Sequence, residues 1–178
     1  MRSLTLLRHA KSAWDDPVER DFDRPLNGKG RRAAARMGRH MAELQLDFDK
    51  IIASPALRVI QTIDGMETGL GRTLRVDYDK RIYMASAATL LDVVHGTPDD
   101  CTRLLMVGHN PGLEDLVLLL VPESAGGSRD EVEVKYPTAS LAELSFDGSW
   151  ADLEERMAVL TRFVRPRDLD PSLGPDTA

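Results

Sequence analysis

Cysteine is almost absent: Cys101 stands alone among 178 residues. A single thiol cannot close a disulfide within the chain, which fits a reducing compartment. Its place in the polar turn Thr97-Pro98-Asp99-Asp100-Cys101-Thr102, ahead of an apolar run, gives it a structural role rather than a nucleophilic one. Long hydrophobic runs are absent too. The longest, residues 116–121, is far shorter than a membrane span, and the apolar stretch at 4–7 is too short for a signal peptide. The expectation is a cytoplasmic protein with no membrane partner. An excess of positive charge is also missing: 23 Lys and Arg against 29 Asp and Glu give a formal net charge of −6. That balance excludes nucleic acid as the main partner, which would favour a basic surface. No metal-ligand spacing is found, so neither a metal nor a cofactor is expected. There are no repeats and no sign of a second domain.

What remains is ordinary in bulk and specific in detail. Hydrophobic content of 42% and charged content of 29% suit a globular chain with one sizeable core. Residues 1–164 read as a single domain, and 165–178, rich in Pro and Asp, as a flexible tail. Within the domain, three short apolar runs each end in reactive or cationic side chains. Leu4-Thr5-Leu6-Leu7 ends in Arg8-His9-Ala10-Lys11-Ser12. Ile51-Ile52-Ala53 ends in Ser54-Pro55-Ala56-Leu57-Arg58, where Ser54 reads as an N-cap and Pro55 as the first helical residue. Leu104-Leu105-Met106-Val107 ends in Gly108-His109-Asn110-Pro111-Gly112, where Asn110 would cap and Pro111 open the next helix. Short apolar runs bounded by polar breaks read as buried strands of a parallel sheet. In open parallel sheets, ligands bind beyond the carboxyl ends of the strands. Two histidines and two arginines brought to that edge suit an anion, phosphate first of all, because guanidinium offers a fixed fork of donors and imidazole can attack phosphorus.

Between these runs, Ala33, Met37, Met41 and Leu44 step along one face of a helix, with His40 at its rim. Residues 74–78 read as a further strand, and Leu90, Leu91 and Val94 as a helix closed by His95-Gly96 and Pro98. Residues 12–23 and the Gly/Ser-rich 124–130 read as loops. Residues 137–146 alternate like a strand with one exposed face, and 157–164 fit either strand or helix.

These segments resemble the histidine phosphatase superfamily, with its phosphoglycerate mutase-like fold. The resemblance rests on Arg8-His9-Ala10, on Arg58 within Ser54-Pro55-Ala56-Leu57-Arg58, and on Gly108-His109. Arg8-His9-Ala10-Lys11-Ser12-Ala13-Trp14, Asp23-Arg24-Pro25-Leu26-Asn27 and Gly108-His109-Asn110-Pro111-Gly112 are most similar to its small SixA-type phosphohistidine phosphatases. The likeness runs from about residue 4 to residue 139. It implies a three-layer α/β/α fold, with a mostly parallel central sheet and helices on both faces. It also implies that His9 is the nucleophile, with Arg8, Arg58 and His109 around the phosphoryl group, and that Ser12 and Asn110 touch it. Ala10 stands where the family usually has glycine, a small change if the backbone there avoids positive φ. No Glu stands in Ile82-Tyr83-Met84-Ala85, where mutase-type members keep a general acid; Asp15, Asp16 and Glu114 are the candidates.

A missing acid suits a labile P–N bond better than an alkyl ester, whose alkoxide needs a proton. The expected function is therefore metal-independent hydrolysis through a phosphohistidine intermediate, acting on phosphohistidine in a phosphorylated protein. The alternatives are a phosphatase of a small phosphorylated substrate, ester or nucleotide, and an inactive anion-binding module. The sequence leaves the oligomeric state open.

Overall fold

The first apolar run builds the middle of a sheet. In the computed structural model, which describes residues 1–15, 17–18 and 20–175, the elements follow in this order: β1 (Arg2–Arg8), α1 (Gly28–Glu43), β2 (Lys50–Ala53), α2 (Leu57–Leu70), β3 (Asp77–Tyr78), α3 (Ala87–His95), β4 (Arg103–Gly108), α4 (Gly112–Leu120), α5 (Ser128–Val134), β5 (Leu141–Phe146), β6 (Val159–Val164) and α6 (Pro166–Leu169). The strands form one six-stranded sheet in the order β3-β2-β4-β1-β5-β6. Neighbours from β3 to β1 are parallel, while β5 and β6 join antiparallel. The chain therefore leaves β1, crosses to β2, and returns to fill the gap with β4. That reversal creates a switch point between β1 and β4.

Side-chain alternation along β1 explains the layers. Leu4 and Leu6 are buried with Leu90 and Val94 of α3, Leu116 and Leu120 of α4, and Val132 of α5. Leu7 is buried on the other face with Met37 and Met41 of α1 and Val59, Ile63 and Met66 of α2. Each such fully buried aliphatic side chain stabilises the fold by roughly 1.5–3 kcal/mol. Helices thus cover both faces of a mixed, mainly parallel sheet, as the sequence implied. Helix α1 starts where the Asn27 carboxamide oxygen accepts the Gly30 N–H at 2.8 Å. It lies so close to α2 that a Cβ on Gly38 would fall 2.3 Å from the Met66 carbonyl oxygen. No helix among the described residues is long and apolar enough to cross a membrane.

Several local expectations are corrected. Ser54 does not cap α2: that helix begins at Leu57 with Ala56 as its cap residue, because the Ser54 hydroxyl is used by the Ala56 N–H and by His109. Helix α4 likewise begins at Gly112 rather than Pro111, although the Asn110 side chain still accepts the Glu114 N–H at 3.3 Å. The strand expected over 74–78 shrinks to Asp77–Tyr78. The loop at 124–130 contains a short 3₁₀ turn and the start of α5, fastened by Arg129, whose buried guanidinium donates to the Val121 and Leu118 carbonyls. Strand β5 has no exposed face, because it lies between β1 and β6 and feeds both cores. Residues 159–164 settle as a strand, since β5 offers them an edge to pair with. Residues 165–175, read from composition as a tail, fold back as α6 and a 3₁₀ turn. Pro166 is buried, Leu169 packs against the Met37 and Met41 core, and Leu173 packs beside Ala33.

Candidate active site

Strand register brings the signature residues to one level. Arg8 pairs with Gly108 and Ala53 with Val107, so the residues that follow the three strands, His9, His109 and Ser54, emerge side by side at the carboxyl edge. The backbone continues the alignment past the sheet. His9 N–H donates to the Gly108 carbonyl at 3.0 Å and Ser54 N–H to the Val107 carbonyl at 3.1 Å. Ala10 N–H is taken by the Thr62 hydroxyl of α2 at 2.9 Å. Ala10 is not among the residues with positive φ, so alanine serves there without strain.

His9, Arg58 and His109 are 8%, 4% and 2% exposed. The Nδ1–H of His9 donates to the Ala10 carbonyl oxygen at 2.7 Å. A carbonyl can only accept, so the opposite nitrogen, Nε2, carries the lone pair. Arg58 Nε faces it at 3.4 Å. Burial pushes the His9 imidazole down to about 3, and the nearby His109, Arg8 and Arg58 act in the same direction. His9 is therefore neutral at pH 7.

The same reasoning fixes His109. Its Nδ1 lies 3.3 Å from Arg58 Nη2, which can only donate, so Nδ1 accepts and Nε2–H donates to the Ser54 hydroxyl at 2.8 Å. The two imidazole rings stand 5.3 Å apart. Burial, then Arg58, holds His109 down to about 4, opposed by Asp21. It too is neutral at pH 7, so the protonated form expected beside a phosphoryl dianion requires that dianion's own charge.

Arg8 and Asn110 share an anchor. Arg8 Nη1 donates to the Tyr136 carbonyl at 2.8 Å and Asn110 Nδ2 to the same oxygen at 3.1 Å. Burial lowers the Arg8 guanidinium from its ordinary value, and its Nε is buried without a partner among the described residues. One N–H of the Asn110 amide thus goes to the brace that holds Arg8. Ser12 is buried next to the site, bridged to Leu26.

Two participants escaped sequence reasoning. Asp21 lies over Arg58: its carbonyl accepts from Nη1 at 2.9 Å and its carboxylate from Nη2 at 3.0 Å. Tyr83 donates its hydroxyl to the same carboxylate at 2.8 Å, and its ring meets His109 edge-on at 5.4 Å. The Tyr83 and Arg58 contacts outweigh burial and hold the Asp21 carboxyl below its usual range. Asp21 stays ionised and is a poor proton donor. Of the acids considered from sequence, Asp15 is exposed and Asp16 lies outside the described residues. Glu114 is half-buried in the first turn of α4; burial, with Asp115 beside it, raises its carboxyl, while Arg8 opposes. His95, in the last turn of α3, donates to the Leu153 carbonyl at 2.7 Å and is structural.

A groove of about 420 Å³ opens beside His9, Arg8 and Ser12 and is lined also by Pro166, Leu173 and Pro175. A cavity of similar size, about 440 Å³, lies at the opposite, amino-terminal edge of the parallel strands, where Asp49, Asp77 and Asp100 mix with Arg72 and Arg75. None of the signature residues line it.

Comparison with known proteins gives concordant results. Residues 4–83 match the family model of the histidine phosphatase superfamily (branch 1). An uncharacterised protein of Mycobacterium tuberculosis is 34% identical over 163 residues, covering 90% of this chain and all of that one. Among solved structures, a candidate phosphohistidine phosphatase SixA from Nakamurella multipartitia aligns at 30% identity with a TM-score of 0.77, covering 93% of this chain and 96% of the other. A second candidate SixA, from Agrobacterium tumefaciens, aligns at 29% identity with the same TM-score, covering 93% and 98%.

Proposed function

The chain belongs to the histidine phosphatase superfamily, of the SixA type, and is a phosphatase; from that premise we propose that it hydrolyses phosphohistidine in a protein substrate through a phosphorylated His9, without a metal. The observation that carries this reading is the His9 tautomer: the Ala10 carbonyl takes the Nδ1 proton and leaves the Nε2 lone pair against Arg58. In the first step Nε2 attacks phosphorus. The bond between phosphorus and the substrate nitrogen breaks, and its electron pair returns to the substrate imidazole. Phosphoryl transfer needs little more than an aligned nucleophile and charge on the equatorial oxygens. Arg8 and Arg58 supply permanent positive charge, and His109 joins them when the dianion draws a proton to it. Ser12 offers a hydroxyl, while Asn110 acts through the brace it shares with Arg8. In the second step water attacks phospho-His9, the P–N bond breaks, and phosphate leaves with Nε2 restored.

A second reading, a phosphatase of a small phosphate ester, draws on Glu114, whose raised carboxyl near Arg8 could protonate an alkoxide. The test is transfer of labelled phosphate from a phosphohistidine protein and, separately, from an alkyl phosphate, with EDTA present. Wild type and His9→Ala are compared, trapping the phosphoenzyme at alkaline pH. Alkali-stable label on wild type alone, with faster turnover of the protein donor, is the expected result. Preference for the alkyl donor, lost in Glu114→Gln, would transfer the assignment to the second reading. Absence of label and turnover from either donor would reduce the site to an anion pocket.

A further inference from the structure

The chain is acidic overall, yet the groove beside His9 is not. Among the described residues that line it, Arg8, Lys11, Lys29, Lys135, Arg165 and Arg167 carry positive charge, and none is Asp or Glu. This concentration sits in a protein whose acids outnumber its bases. The cations come from separate parts of the chain: Arg8 and Lys11 from the end of β1 and the segment after it, Lys29 from the start of α1, Lys135 from just past α5, and Arg165 and Arg167 from the carboxyl-terminal segment that folds back over α1. Their convergence is therefore a product of the fold and not of a basic run in the sequence.

Local pairing accounts for only part of this charge. Arg165 is held by Asp168 at 2.9 Å, and Lys29 donates to the Gly174 carbonyl, which fastens the groove's outer wall. Lys135, exposed at the lip, and Arg167, half-buried, make no ion pair among the described residues. Like charges gathered without compensation cost free energy. The volume, about 420 Å³, is that of a pocket for a small group and not of a surface dimple. The apolar wall made by Pro137, Pro166 and Leu173 lowers the dielectric around the cations and strengthens their field.

We propose that this groove is a second anion subsite, which receives a phosphate or carboxylate carried by the same substrate molecule whose phosphoryl group is transferred at His9. The inference rests on the phosphatase reading and adds a selectivity to it: substrates with a second negative group next to the scissile phosphoryl are preferred. The group has two sources, acidic residues flanking a phosphohistidine or a second phosphate on a small molecule.

The experiment uses matched pairs. One pair is a phosphohistidine peptide flanked by glutamates and the same peptide flanked by glutamines. The other is a straight-chain diol bisphosphate and the matching monophosphate. For each pair, the ratio of kcat/KM is measured for wild type and for the double variant Lys135→Ala/Arg167→Ala. The expected wild-type ratio in favour of the doubly anionic member is about tenfold at low ionic strength, shrinking as salt screens it. In the double variant that ratio falls towards one. The pair that shows the preference names the source of the second anion. Ratios near one for both pairs in wild type, or a preference the variant retains, overturn the proposal. Calorimetric binding of the diol bisphosphate and the monophosphate to His9→Ala is run in parallel. If wild type turns over nothing but the bisphosphate still binds more tightly, and less so with Lys135 and Arg167 replaced, the phosphatase reading fails while the subsite stands.

Discussion

Burying two neutral imidazoles next to two guanidinium groups makes stability depend on pH in a direction the site fixes. His9 is held down to about 3 and His109 to about 4, against an ordinary value of 6.5. A base held below its ordinary value binds fewer protons folded than unfolded, so stability rises with pH across the gap and is lost as pH falls. The contribution is complete above the ordinary value and drains away from about 6.5 downward. At pH 5 both folded rings are still neutral while the unfolded ones are almost fully protonated, which costs about 2 kcal/mol per ring relative to pH 8. The two together cost about 4 kcal/mol, a large part of a typical folding free energy. Carboxylates held low, such as Asp21, Asp79 and Asp168, withdraw their support only near and below the ordinary carboxylate range, so the interval from pH 8 to pH 5 isolates the imidazoles. Urea unfolding followed by the fluorescence of Trp150, a fully buried reporter, measures the effect. Wild type should lose about 4 kcal/mol more between pH 8 and pH 5 than the double variant His9→Asn/His109→Asn, with each single variant in between. If the double variant loses as much as wild type, the two imidazoles are not held neutral, and the nucleophile argument falls with them.

Two further outcomes follow from neighbouring contacts. Asp21→Asn removes a negative charge 3.0 Å from Arg58 Nη2, so inorganic phosphate should inhibit more strongly, by about fivefold, the scale of one partly exposed charge pair; an unchanged or weaker inhibition constant would place Asp21 outside the phosphoryl site. Tyr136→Phe removes the hydrogen bond that the Tyr136 hydroxyl donates to the Leu6 carbonyl at 2.6 Å, and should cost about 0.5–1.5 kcal/mol of stability in denaturant titration. Because Arg8 and Asn110 hold the backbone carbonyl of Tyr136 and not its hydroxyl, kcat/KM should stay close to wild type, and a fall without loss of stability would contradict that division.

The four residues read from strand ends, Arg8, His9, Arg58 and His109, are found together because each follows an apolar run whose length and composition announce a buried strand. Periodicity reports such runs well, since burial is what selects their composition. It does not report register, and the level arrangement of His9, Ser54 and His109 depends on register alone. Ser54 shows how a local rule misleads. Its hydroxyl has the chemistry of an N-cap, but it is spent on a tight turn and on orienting His109, so the helix starts three residues later. Asp21 was hidden for a different reason. It lies in a polar segment with several other acids, and only the folded path brings one of them onto Arg58. The helix α5 was missed because most of its face is charged and exposed, its hold on the core depending on Val132 and on the buried Arg129.

The carboxyl-terminal segment bears most directly on function. Its Pro- and Asp-rich composition reads as a solvated tail, since composition averages over residues that point in different directions. Once Pro166 is buried and Leu169 and Leu173 pack against the cores, the same segment brings Arg165 and Arg167 to the groove beside His9. A net charge of −6 therefore argues against a broadly basic surface but says nothing against a basic groove, because field strength at a site depends on which charges the fold brings together and how little water lies between them. On the proposed reading, substrate choice is written in the segment with the least secondary-structure signal, while the chemical step is written in the segments with the most.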